Sequence, residues 1–188
     1  ILKPQFRCDR YKYEKILKDN IPAFVERVPL ETLSLLCELL EKAILYSQRE
    51  GDKYKPRDFT HIVRSAIEDH EQNRGFRLED PLITAVRDTA IKLCGQNPED
   101  ISKITIILES YKWNIFRRII LHVLRVSASS PKEITEQYLT DYTLFDEPGF
   151  RHEYYHLLKE RFGTLPEKAQ NIILGWIEKG DSILEYIN

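Results

Sequence analysis

Methionine is absent from the sequence, so the chain carries no initiator. Its first residues, Ile1-Leu2-Lys3-Pro4, read like mid-chain sequence and show no signal-peptide pattern. The expectation is a single domain over residues 1–188, cut from a larger cytoplasmic protein. Cysteine is scarce: Cys8, Cys37 and Cys94 are odd in number and far apart, which gives no disulfide framework and no CxxC metal site. No apolar run is long enough to span a bilayer, so no membrane partner is expected. Neither charge sign dominates. The formal net charge is −2, with 31 % charged and 42 % hydrophobic residues, so nothing global demands nucleic acid or a membrane, and the composition is far from that of a disordered chain. The phosphate-cradling GxxxxGK[ST], the dinucleotide GxGxxG and the nucleophile-elbow GxSxG are all missing.

What is present is helical punctuation. Gly51, Gly75, Gly95, Gly163 and Gly180 each follow an apolar-periodic segment, as at helix C-termini. Pro81, Pro98, Pro131 and Pro166 each open one, with Asp80, Asn97 and Ser130 as expected N-caps. Ser130 with Glu133, and Thr164 with Glu167, match the capping box. Phe59, Ile62, Val63, Ala66, Ile67 and His70 repeat at helical spacing. The pattern predicts helices near 10–27 (broken or kinked about Pro22), 30–50, 58–72, 81–94, 98–110, 113–127, 131–141, 150–162 and 166–179, with a short one ending the chain. Thr105–Leu108 and Tyr142–Phe145 are β-like in composition, but the first lies within a capped helical segment and the second is very short.

Pro98, Pro131 and Pro166 are 33 and 35 residues apart, the length of a helix–turn–helix unit. The segments do not repeat residue for residue. The fold class is therefore all-α, an irregular HEAT-like stack of antiparallel helix pairs, with a single helical bundle as the alternative.

Two helices differ in the sign of their polar strips. Over residues 30–50 apolar side chains cover more than half the wheel, which predicts a sandwiched helix with only an acidic strip in water (Glu31, Ser34, Glu38, Glu41, Arg49). Over 113–127, Arg117, Arg118, His122 and Arg125 share an arc with Asn114 of about 140°. No acid within that helix offsets them. They are the candidate binding residues, a strip aimed at a phosphate or carboxylate, with pairing to acids of neighbouring helices as the competing account. Basic residues also alternate with aromatics at Arg10-Tyr11-Lys12-Tyr13 and Lys53-Tyr54-Lys55-Pro56-Arg57, an arrangement suited to single-stranded nucleic acid.

Residues 152–156 read His-Glu-Tyr-Tyr-His. This H-E-x-x-H resembles the zincin metallopeptidase signature, which would imply His152 and His156 as zinc ligands and Glu153 as general base. The surroundings argue otherwise. Phe150, Tyr154, Tyr155, Leu158 and Phe162 form the apolar stripe, leaving both histidines on the polar side with Lys159 and Glu160. Lys159 stands where metzincins have glycine. Glu178, 22 residues beyond His156, lies at a plausible distance for a third ligand, but Ser182 replaces the Asp expected four residues on. No metal, no cofactor and no catalytic residue is expected. His61, His70 and His122 read as single structural histidines.

The segments YKWNIFRRIILHVLR (111–125) and HEYYHLLKERFGTLPEKAQNIILGWIEKG (152–180) resemble helical regions of large bacterial proteins that also carry an NTPase domain. The resemblance implies a helical scaffold or sensor attached to an engine elsewhere in the parent chain. The expected function is a non-enzymatic scaffold or protein-interaction region, its partner another protein or another domain of the parent. Nucleic-acid binding is the second reading and a zinc peptidase the third.

Overall fold

The computed structural model describes residues 9–47, 58, 60–70, 73, 77, 79–127 and 130–180. Among them are ten α-helices, three short 3-10 turns and no strand. The fold is all-α. The helices are α1 (Arg10–Arg27), α2 (Pro29–Ser47), α3 (Thr60–Val63), α4 (Glu79–Gln96), α5 (Ile101–Glu109), α6 (Asn114–Val126), α7 (Lys132–Leu139), α8 (Tyr142–Asp146), α9 (Arg151–Arg161) and α10 (Glu167–Lys179). Cys8, Gly51, Gly75, Arg49, the Lys53–Arg57 run and the expected terminal helix lie outside the described residues.

Several local expectations need correction. The helix predicted over 58–72 stops at Val63, and residues beyond it are irregular. α1 runs through Pro22 as one helix. Tyr142–Phe145, β-like in composition, is the helical turn α8, capped by Asp141, whose side chain accepts from the Thr143 amide at 2.9 Å. Asp80 is not a cap, because α4 begins at Glu79 and places Asp80 and Pro81 inside its first turn. Pro131 and Pro166 occupy the N-cap positions of α7 and α10 themselves, so Ser130 and Thr164 do not cap. The Ser130 hydroxyl instead donates to the Leu124 carbonyl. Gly95 lies within α4 and Gly163 within a 3-10 turn; of the expected stops among the described residues, only Gly180 has a positive φ, at 76°.

The core follows the chain. α4 packs against α1, α2 and α6, and α6 in turn packs against α3, α5 and α9. One continuous apolar cluster runs from Val25 in α1 to Ile173 in α10. Cys37 and Cys94 sit in it as small buried residues, and burial pushes the Cys37 thiol up to about 12, leaving it unreactive. Phe145, Tyr154 and Trp176 bring α8, α9 and α10 together, with ring centroids 5.3 and 5.9 Å from Phe145.

α6 is the most enclosed helix. Ile115, Phe116, Ile119, Ile120, Leu121, Val123 and Leu124 are all buried. Both of its ends take partners from remote parts of the chain. At the start, Trp113 offers no side-chain acceptor, and the Asn114 amide donates to the carboxylate of Asp58. The other oxygen of Asp58 accepts from the Thr60 amide at 2.8 Å, so one side chain serves the N-termini of α3 and α6 together. At the other end Arg161 of α9 donates to the carbonyls of Arg125 and Ser127, both at 3.0 Å, a cation placed where the helix dipole favours it. Asp58→Ala is expected to lower stability by about 2 kcal/mol, at the upper end for a lost cap because two helices lose their acceptor. Urea unfolding checks this; a change under about 0.5 kcal/mol would show that the shared cap contributes nothing.

Candidate functional site

After Val63 the chain leaves helical geometry while staying buried: Arg64, Ala66 and Ile67 are at most 4 % exposed. A buried backbone without a helix ladder must find other partners. Side chains supply them. Arg118 of α6 donates from Nη1 to the Arg64 carbonyl at 2.6 Å and from Nη2 to the Ser65 carbonyl at 3.0 Å. Arg64 Nε turns back to the Ala66 carbonyl at 2.9 Å. Arg87 of α4 reaches the Ile67 carbonyl at 2.9 Å and Asp69 at 2.8 Å. Asn73 bonds Ala66 and Glu68. The Ile67 amide donates to Glu153 Oε1 at 2.9 Å.

Glu153 closes the arrangement. Its two oxygens receive Arg118 Nε at 2.7 Å and Nη2 at 2.9 Å, a bidentate pair with 1 % and 2 % side-chain exposure. The glutamate of the H-E-x-x-H pattern is therefore enclosed, both oxygens engaged, and is not disposed as a general base beside a metal-bound water.

The basic strip expected on α6 is not an accessible strip. Arg118 is buried in that pair. Arg117, about a third exposed, pairs with Asp141 of the α7–α8 junction at 2.7 Å and lies near Glu109. Arg125 pairs with Glu68. His122 is 7 % exposed. The physical reason is that both faces of α6 are covered. Its apolar face meets the core, and its basic arc meets the 64–70 segment, the α7–α8 junction and α9, whose carbonyls and acids engage the three arginines. The competing account, pairing within the chain, describes the geometry.

His122 shows what this costs electrically. Burial, then the charges of Arg125 and Arg87, push its pKa down to about 4 against the opposing pull of Glu68 and Asp69. It is neutral at pH 7. Glu68 is held below the ordinary carboxylate range: burial works the other way, but hydrogen bonds and charge from Arg125 and His152 outweigh it.

On α9 the buried side is Phe150, Glu153, Tyr154 and Leu157, which corrects the expected stripe, since Tyr155 is 57 % exposed. His152 and His156 are half-exposed and adjacent, with ring centroids 4.7 Å apart. Glu68, 84 residues earlier in the chain, brings Oε1 to 3.3 Å from His152 Nε2. The carboxylate sought downstream of the motif, at Glu178, is thus supplied from upstream by Glu68. Nothing in the local sequence marked Glu68, because the 58–72 segment reads as an ordinary amphipathic helix.

A separate cleft of about 580 Å³ lies between α1 and α4, with Leu17, Ile21 and Val25 on one wall. The guanidinium groups on its other wall, Arg64 and Arg87, are those already bonded to the 66–69 segment.

Comparison with family models, curated proteins and solved structures finds no match to the chain.

Two outcomes check this site. Arg118→Gln is expected to cost about 3–5 kcal/mol in urea unfolding, because it strands a buried carboxylate. Arg117→Gln, at a part-exposed pair, is expected to cost less than about 1 kcal/mol. Equal effects would contradict the burial difference.

His122 also sets a pH dependence. Its folded pKa lies below the unfolded value of about 6.5. The unfolded chain therefore takes up a proton first as pH falls. Stability from the neutral imidazole is complete above about pH 6.5 and is lost between there and about pH 4, on the order of 3 kcal/mol in all. His122→Gln is expected to flatten the stability profile in that window. An unchanged slope would mean the histidine protonates in the folded state as readily as in water.

Proposed function

We propose that the chain is a non-catalytic helical scaffold, a protein-interaction region working in the cytoplasm as part of a larger protein, with its helix pairs arranged as an irregular HEAT-like stack. The observation that carries this reading is on α2. Leu35 and Tyr46 are 55 % and 69 % exposed, and Leu39 and Leu45 are exposed beside them. The sequence expectation was a helix apolar because it is sandwiched. Instead α2 packs on α1, α4 and α5 by one side and leaves this apolar stripe outward. Leu35, Leu39 and Tyr46 fall at i, i+4 and i+11, one face of a helix. Glu31 and Glu38 lie along the same outer side. Such a surface suits a partner with an apolar contact face and a basic rim, either another protein or another domain of the parent chain.

The other two readings have less support. Nucleic-acid binding drew on the basic–aromatic runs Arg10–Tyr13 and Lys53–Arg57, the second outside the described residues, and on a phosphate at the α6 arginines, which are engaged by Glu153, Asp141 and Glu68. The peptidase reading needs Glu153 free to activate water, and Arg118 and Ile67 hold it. No described helix is long and apolar enough to cross a membrane.

The test is Leu35→Ser, Leu39→Ser and Tyr46→Ser together in the full-length parent. These positions are exposed, so the melting temperature should move little. Cross-linking with mass spectrometry should show contacts concentrated on α2 in the unaltered protein and lost in the triple variant. Cross-links that avoid α2, or survive the change, would reject the interaction surface. A parallel titration with a mixed-sequence oligonucleotide should show no binding that falls steeply with salt; such binding would favour the nucleic-acid reading.

A further inference from the structure

The geometry points to a zinc-class divalent metal site formed by Glu68, His152 and His156, a structural clasp between the 64–70 segment and α9. Its ligand atoms all lie within 4.8 Å of one another. A tetrahedral zinc with imidazole and carboxylate ligands at 2.0–2.1 Å holds its donors about 3.3 Å apart. The Glu68 Oε1 to His152 Nε2 distance is already 3.3 Å. His156 sits one helical turn from His152 with its ring alongside, and both rings are part-exposed. Two imidazoles and one carboxylate, with a water completing the shell, match the preference of zinc, cobalt and nickel over magnesium or calcium, which favour all-oxygen sites.

The supports of the three ligands are rigid. Glu153, next to His152 but rotated about 100° around the helix, is fixed by Arg118 and so sets the roll of α9. Glu68 belongs to the segment whose backbone Arg118, Arg87 and Asn73 hold. Its second oxygen is bonded by Arg125, which would orient the carboxylate and leave Oε1 for the metal, the role outer-sphere groups play at zinc sites. The clasp is not the peptidase site its motif resembles. The motif's glutamate is buried in an ion pair, and the third ligand comes from upstream. It is also independent of the interaction surface on α2, so either proposal can fail alone.

The experiment uses the tag-free protein with zinc chloride or cobalt chloride as the only probe. One zinc per chain is expected by metal analysis after dialysis, with a melting temperature that rises with zinc concentration. Cobalt should give the strong visible bands of a four-coordinate ion. His152→Asn and His156→Asn should each weaken binding at least tenfold while the metal-free melting temperature stays near that of the unaltered chain. His70→Asn, outside the cluster, should bind as the unaltered protein does. Binding below one ion per chain, a weak octahedral cobalt spectrum, or affinity unaffected by either histidine change would each overturn the assignment.

Discussion

A stretch of buried backbone that cannot bond to itself governs this structure. Past the Arg64 amide, which still bonds the Thr60 carbonyl, residues 65–68 leave helical geometry, and each buried carbonyl or amide there needs another partner. Arg118 shares that task with Arg64, Arg87 and Asn73, and it alone also reaches α9. Its guanidinium touches two carbonyls and the Glu153 carboxylate, and Glu153 in turn accepts from the Ile67 amide. Three parts of the chain, remote in sequence, are joined through one planar group with five donors. An ion pair this buried gains little over an apolar pair of equal volume, but losing one member is costly. Its value here lies in position. It fixes where the irregular segment, α6 and α9 stand relative to one another.

The charge pattern around α6 follows from the same constraint. A helix with three arginines and a histidine on one arc would be costly to bury alone. Each arginine is covered by an element bringing a carboxylate: α9 brings Glu153, the α7–α8 junction Asp141, the irregular segment Glu68. His122, with positive neighbours on two sides, is left neutral. The near-zero net charge of the chain is thus reproduced locally, with opposite signs folded against each other.

α9 illustrates how one short motif divides between two surfaces. Residues four apart share a helix face, and a residue one position on lies about 100° away. His152 and His156 therefore look outward together toward Glu68, while Glu153 looks inward to Arg118. The ion pair that engages both oxygens of Glu153 also fixes the roll of α9 and so the placement of the histidine pair.

By itself the sequence determined the helical class and most helix positions, because patterning at period 3.6 acts over a few residues. α2, α4, α6, α9 and α10 lie within a few residues of where the pattern puts them. It also placed Ala66 and Ile67 on a buried face correctly while assigning them to a helix they do not form. Periodicity reports burial, and a helix is only the commonest way to achieve it; here side-chain donors from Arg118 and Arg87 displaced the ladder. Which charges meet was decided only by the tertiary structure. The partners of Arg118 and His152 lie 35 and 84 residues away in the chain, and no local pattern records a contact made by packing. For the same reason α2 reads as sandwiched, yet carries its leucines outward: a wheel counts apolar residues but not the neighbours available to cover them.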